Sequence, residues 1–348
     1  MNETIINKDI KDFDSYILGL DLGGTNTNLL FSGVKDNKPI FLSKYNFETY
    51  KICSIIDPIN QVLDYIKDTY NILIKNASIG VPGVISKDNN YAELTNISWN
   101  VSKDEILNKT NLEKIVILND FECIGYGINI LKESDLDLVK SGNIIKNQTK
   151  AIVGAGSGLG KSILRYDKNL KIYIPIKSEG GHGDIPVYDI FELELINFIK
   201  EELGIKEQVT YEEILSGKGI LNIYNYISKK YEKTSNYENI ISSENKAEKI
   251  SELKNIDKNC KKTFDLFSKF YARCLKNLAL DSLSQGGIYI AGGIAIKNKE
   301  IFETNEFISE FESAYKKTTV LKNIPIFLIK NYDVSIYGAI LAGIHLIK

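Results

Sequence analysis

No two of the four cysteines, Cys53, Cys123, Cys260 and Cys274, stand in a CxxC pair. Their placement indicates neither a zinc site nor a disulfide framework, and a reducing cytoplasm is the expected compartment. An excess of one charge is also missing. The 43 Lys and Arg nearly balance the 45 Asp and Glu, for a formal net charge of -2. That balance favours neither nucleic acid nor an anionic membrane as partner. Long apolar runs are absent: stretches such as Ile115 to Leu118 are strand-length, far below a membrane span. The opening MNETIINKDIKDFDSY lacks the basic start and apolar run of a signal peptide, and Met1 to Ser15 is expected to form a surface arm. No low-complexity linker marks a domain boundary.

What is present is an ordinary globular composition, 43 % hydrophobic and 25 % charged, over 348 residues, a length that points to two domains. Tyr16 to Leu22 reads as a strand, Gly23-Gly24-Thr25-Asn26 as a tight turn, and Asn28 to Phe31 as the returning strand. Ser54 to Tyr70 carries apolar residues at helical spacing. Asn76 to Val84 is a short buried strand ending in a Pro-Gly turn. Ile115 to Leu118 is a buried strand followed by Asn119-Asp120, and Phe121 to Lys132 is helical despite its glycines, with Asp120 at or near the N-cap. Lys150 to Gly154 is again a strand, and the segments 163–166 and 170–176 form a hairpin. Tyr188 to Leu203 and Phe264 to Leu283 are helices, whereas the polar stretch Lys229 to Asn259 is expected to be solvated helix and loop. Gly287 to Ile290 and Ile324 to Ile329 are late strands, and Ser335 to Leu346 is the last helix. Strand pairs precede helices in each half, which implies two related α/β domains facing a cleft. The expected boundaries are 1–130 plus 335–348 for a small domain and 131–334 for a large one.

The stretch AIVGAGSGLGKS, residues 151–162, fits the loose form of a phosphate-binding P-loop. A P-loop requires a helix after its lysine, because the helix N-terminus and that lysine bind the phosphates. Here Lys161 and Ser162 lead into ILRYDKNLKIYI, which alternates like a strand. The glycines are therefore expected to shape a β-turn, with Lys161 a surface lysine. Two such Gly-rich turns, residues 21–25 and 154–158, offer backbone N–H groups to an anion without a Cβ in the way. Thr25 and Ser157 add hydroxyl donors. Ala291-Gly292-Gly293-Ile294 would leave flat backbone for an adenosine.

Together these segments resemble the bacterial-type glucokinases of the sugar kinase, Hsp70 and actin superfamily. DLGGTN and GAGSGLG resemble the family's two phosphate loops, LTNISW its sugar-loop segment, and LNDFECIGYGI its catalytic segment. EGGHGD and EEILSGKGI resemble sugar-contact segments, and YIAGGI the adenosine segment, all in the family's order along nearly the whole chain. The resemblance implies two ribonuclease-H-like (actin-like ATPase) domains around a cleft, and transfer of the terminal phosphoryl group of ATP to the 6-hydroxyl of glucose at the entry to glycolysis. It implies Asp120 as catalytic base, with Asn96, Asn119, Glu179, His182 and Glu212 on the sugar. Gly23, Gly24, Thr25, Asn26, Gly156, Ser157, Gly158, Gly292 and Gly293 would line the ATP site. Asp21 would line it too and orient Mg2+ through water. The related ROK kinases carry a Cys-rich zinc loop that has no counterpart here, so no zinc site is expected. A homodimer is implied by the resemblance alone. Residues Asn331 to Val334 depart from the family's glycine-containing turn.

The chemistry suits these residue types. Phosphoryl transfer to an alcohol needs positioning, charge neutralisation and a proton acceptor, and a carboxylate at a strand-to-helix junction supplies the last. The helix N-terminus is expected to favour its charged form. Glu179 and Glu212 can each accept from two adjacent sugar hydroxyls. The plainer alternatives are that Asp120 is only a helix cap, His182 a loop histidine, and Glu212 one of the first-turn acids of a Thr210-capped helix with Glu213 facing solvent. The competing functions are a kinase for another hexose or an N-acetylhexosamine, a non-catalytic sugar-binding regulator, and a P-loop ATPase.

Overall fold

The computed structural model describes residues 2–95 and 97–347. They pack as two compact units, one of Met1–Lys132, Asn169–Pro175 and Asp333–Lys348, the other of Glu133–Lys168 and Ile176–Tyr332.

The first unit is built on a six-stranded sheet of β1 (Asn2–Ile5), β2 (Ser15–Leu22), β3 (Asn26–Lys35), β4 (Lys38–Glu48), β5 (Asn76–Val81) and β6 (Lys114–Asn119), in the order β1-β4-β3-β2-β5-β6. The β1–β4 to β3–β2 side is antiparallel, whereas β2, β5 and β6 run parallel. Residues 2–5 therefore do not form a free arm. They add an edge strand, with Asn2 opposite Asn46 and Ile5 opposite Ser43. Helix α1 (Ile56–Tyr70) lays Ile59, Val62, Leu63 and Ile66 on the sheet, and it stops at Asn71, whose left-handed φ of 57° ends the helix.

Helix α2 (Asp120–Gly127) and the C-terminal helix Val334–Leu346 cover part of the same unit. They approach so closely that a Cβ on Gly338 would lie 1.7 Å from the Cys123 carbonyl oxygen, and one on Gly127 would lie 2.1 Å from that of Val334. α2 stops at Gly127, short of the expected Lys132. The following residues instead turn back through bonds from Asn129 N–H to the Tyr126 carbonyl and Ile130 N–H to that of Gly127.

In the second unit the strands run in the order β7 (Leu136–Lys140), β11 (Ile326–Ile329), β10 (Ile288–Ala291), β8 (Lys150–Ala155), β9 (Leu159–Asp167). β8 and β9 form an antiparallel hairpin, and β8, β10 and β11 run parallel. The same hairpin-plus-parallel arrangement appears in the first unit as β3, β2, β5 and β6. Helices α3 (Ile190–Glu202), α4 (Gly217–Lys230) and α5 (Lys258–Ser282) carry much of the core. The polar stretch 229–259 is less solvated than its composition implies: its short helices 237–242 and 246–253 plant Ile240 and Ile250, fully buried, in that core.

One charge cluster lies within this core. Arg273 of α5 and Glu192 of α3 are both fully buried and form a two-pronged pair at 2.7 and 2.9 Å. Arg273 also donates to Glu310 at 2.8 Å and lies 3.8 Å over the Tyr188 ring. Burial alone would raise the Glu192 carboxyl, but bonds from Arg273, Lys269 and the Tyr188 N–H outweigh it and hold it at about 2. No helix among the described residues is long and apolar enough to cross a membrane.

Candidate active site

Two groups of the expected residues assemble, one in each unit. In the first, β2 delivers Asp21 and then the turn of Gly23 to Asn26. Gly23 N–H donates to the Asn26 carbonyl at 2.9 Å, and a Cβ on Gly23 would sit 2.8 Å from that oxygen. The residue that fixes this turn carries no local signal in the sequence. Buried Thr49 donates its hydroxyl to the Gly23 carbonyl at 2.7 Å and its N–H to that of Thr25 at 2.9 Å. Held from behind, the turn leaves Gly24, Thr25 and Asn26 exposed. Asn46 donates its side-chain amide to the Asn26 oxygen at 3.4 Å.

Beyond β5 in the same sheet, β6 delivers Asn119 and, at its end, Asp120. Asn119, rather than Asp120, caps α2: its Oδ1 accepts the Phe121 N–H at 2.8 Å, and Glu122 accepts the Asn119 N–H in return. Its Nδ2 donates to the Gly83 carbonyl at 3.1 Å, which fixes the amide's orientation. Asp120 is the first helical residue, half-buried, and shares the Phe121 N–H at 2.9 Å. Its carboxyl is raised to about 6, first by burial and then by the charge of Asp21; the N–H groups of the helix start pull the other way and lose. The helix start does favour the charged form, as expected, but burial and the Asp21 charge outweigh it. Asp21 is itself pushed up by burial, against a 2.7 Å bond donated by Ser335 Oγ. Ser335 was a second unforeseen contributor, because nothing local in SIYGAI marks it. Asn96 lies outside the described residues.

In the second unit the β8–β9 turn holds Gly156, Ser157 and Gly158, with Gly156 N–H donating to the Gly158 carbonyl at 2.8 Å. Glu212 reaches this turn. Its Oε2 accepts the Leu159 N–H at 2.9 Å, and a Cβ on Gly158 would lie 2.5 Å from that oxygen. The short turn Gly180–His182 packs on the start of β9 so closely that a Cβ on Gly181 would meet the Leu159 carbonyl at 2.1 Å. Glu179 and His182 flank that contact and are exposed. Tyr211 N–H bonds the Gly183 carbonyl at 3.1 Å, tying the Glu179 and Glu212 segments together. Gly292, at φ 96°, would place a Cβ 2.5 Å from the Ala155 carbonyl, so the 291–293 strand end abuts the β8 end. Among these glycines, Gly24, Gly156 and Gly293 have no protein atom within 4 Å of where a Cβ would stand.

One expectation about neighbouring residues holds here and two are overturned. Lys161 and Ser162 lie inside β9, paired with Val153 and Ile152, so no helix follows the GKS run and a P-loop is excluded. Lys161 is not at the surface. It is only 9 % exposed, with its Nζ 4.1 Å above the Tyr211 ring, because the strand's alternation puts it on one face with Leu159 and Ile163. Glu213 does not face solvent but accepts from the N–H and hydroxyl of Thr210 at 2.8 and 2.6 Å, closing a helix cap.

The Glucokinase family model matches residues 18–345. A glucokinase of Nostoc punctiforme is 28 % identical over 346 residues, covering 95 % of this chain and 99 % of the relative. The crystal structure of a glucokinase from an Antarctic psychrotroph superposes with a TM-score of 0.79 at 23 % identity, over 95 % of this chain and 99 % of that one. A ROK family glucokinase from Streptomyces griseus, solved in complex with glucose and AMPPNP, gives 0.62 at 16 % identity, over 93 % and 98 %. These two structural likenesses speak to the fold, of the actin-like ATPase type. With a family model spanning almost all of its length, the chain belongs to the glucokinase family.

Proposed function

We propose that this chain transfers the terminal phosphoryl group of ATP to the 6-hydroxyl of glucose. The observation that carries the reading is Asp120, a half-buried carboxylate at a strand-to-helix junction whose proton affinity is raised to about 6. A base of that strength is largely ionised at neutral pH and takes up the hydroxyl proton more readily than a free aspartate. Asn119, Glu179, His182 and Glu212, together with Asn96, hold the sugar hydroxyls. Asp21, Gly23, Gly24, Thr25, Asn26, Gly156, Ser157, Gly158, Gly292 and Gly293 line the nucleotide site. Gly24, Gly156 and Gly293 support this, because the protein's own packing does not require the missing side chain at any of the three. A ligand approaching the backbone does.

Magnesium fits the residues present. The Asp21 charge raises the cost of ionising Asp120, and a hard divalent cation held by Asp21 through water would relieve it. When bound, it neutralises the transferred group. The reading extends to two related ribonuclease-H-like domains around a cleft, divided at 1–130 plus 335–348 and 131–334, and to a cytoplasmic homodimer.

The test is ADP release from ATP and magnesium with glucose, mannose, fructose, N-acetylglucosamine or no sugar. Release with glucose alone supports the proposal. Release with another hexose or with the N-acetylhexosamine moves the sugar assignment and keeps Asp120. Release without sugar, or none at all, sinks the proposal.

A further inference from the structure

Lys161 is a buried cation whose partners lie in the segments assigned to the sugar. Its stem passes beneath the Gly180–His182 turn, where a Cβ on Gly180 would be 3.0 Å from Lys161 Cδ and 3.6 Å from its Cβ. Its Nζ lies 4.1 Å from the centre of the Tyr211 ring, beside the fully buried Cys274 thiol of α5. Tyr211 heads the segment that carries Glu212, and its hydroxyl accepts from Asn277 of α5 at 2.9 Å. The Tyr211 N–H holds the Gly183 carbonyl at 3.1 Å. The backbone of β9 just before Lys161 also serves both segments, since the Leu159 N–H binds Glu212 and its carbonyl abuts Gly181.

We infer that Lys161 is a positioning residue for the sugar site: its aliphatic stem spaces the Glu179–His182 segment from β9, and its ammonium pins the Tyr211–Glu212 segment from within. A cation over an aromatic face is held most strongly in a desolvated place, and the aliphatic stem contributes packing in its own right. A side chain at 180 would press on the lysine stem, as it would on Ser178 Oγ, each 3.0 Å from where its Cβ would stand. The contacts of Lys161 with the Gly180 turn and the Tyr211 ring lie in the sugar segments, so its loss should fall on the sugar. The GKS run that resembles a phosphate-binding lysine thus supplies a lysine for another purpose. The inference rests on the sugar assignment of Glu179, His182 and Glu212.

The experiment compares wild type with Lys161→Ala, which removes stem and charge, and Lys161→Met, which keeps most of the stem. Glucose affinity is read by calorimetry and KM, ATP by its own KM, and folding by thermal melting. Lys161→Ala should raise the glucose Kd and KM at least tenfold while moving the ATP KM less than twofold. Lys161→Met should recover part of the loss. An unchanged glucose Kd in a folded Lys161→Met and Lys161→Ala pair overturns the inference, as does equal loss for both substrates that tracks a fall in melting temperature. An effect on ATP alone also overturns it. If wild type fails to bind glucose at all, the fault lies with the sugar assignment itself; glucose binding by wild type with indifferent Lys161 variants isolates the failure to Lys161.

Discussion

At the scale of single residues, the raised proton affinity of Asp120 has opposite effects on chemistry and on stability. A carboxyl whose folded pKa is about 6, against about 4 unfolded, holds its proton more tightly in the folded state. Its ionisation therefore weakens the fold progressively from pH 4 to 6, and the full cost persists above 6. Asp120→Asn should cut turnover by at least ~10²-fold with glucose binding retained. In magnesium-free buffer at pH 7 it should also gain about 1–2 kcal/mol of stability, allowing for the partial exposure of the group. Melting curves at pH 7 and pH 4 check the sign, since the gain should vanish at the lower pH. Asp120 was legible from LNDFECIGYGI because a carboxylate between an apolar strand and a helix is a local pattern. Its proton affinity was not, because the burial and the Asp21 charge that set it come from distant parts of the chain. Lys161 was misread for the same reason: a lysine after glycines looks solvated until the Gly180 turn and the Tyr211 ring are folded over it.

Between elements, the glycines divide into two kinds that the sequence writes identically. Gly338 is demanded by packing, since its Cβ would overlap the Cys123 carbonyl at 1.7 Å. Gly338→Ala should destabilise the protein by about 1–3 kcal/mol or more, as forced overpacking does, and circular dichroism melting measures it. Gly24→Ala meets no protein atom within 4 Å and should melt like wild type, yet raise the ATP KM. Equal melting losses in the two variants would contradict this division.

The Glu192–Arg273 pair makes a further element-scale case, joining α3 to α5. Glu192→Ala removes the two-pronged partner of a buried guanidinium, leaving it Glu310, and should cost about 3–5 kcal/mol in urea unfolding. Because the Glu192 carboxyl is held at about 2, below the ordinary value near 4.3, its contribution is fully present above that ordinary value and is lost as pH falls toward 2. Wild type should therefore lose more stability than Glu192→Ala over that acid interval. Such pairs are invisible in sequence, where Glu192 sits in an amphipathic run and Arg273 in another, with nothing to join them.

For the whole molecule, the two glycine-turned hairpins were readable from YILGLDL and KAIVGAG, each an apolar strand broken by glycines and followed by a return strand, but the parallel order beside them was not. The edge strand Asn2–Ile5 was not, because its short, mostly polar and exposed run carries no alternating apolar pattern. If the two-domain reading is right, glucose should draw the domains together to exclude water, and the radius of gyration from X-ray scattering should fall on its addition. An unchanged radius would count against closure.

The C-terminal helix belongs to the same unit as β2 and β5, with Gly343 so close to Ser78 that a Cβ there would lie 2.8 Å from the serine Cβ. On the ribosome this face of the first unit must wait, uncovered, while the whole of the second is synthesised at roughly 5–20 residues per second. The second unit, Glu133–Lys168 and Ile176–Tyr332, has been translated in full before the helix emerges. The nascent chain thus has its second unit complete first, and its first unit is sealed only when the helix at 334–346 follows.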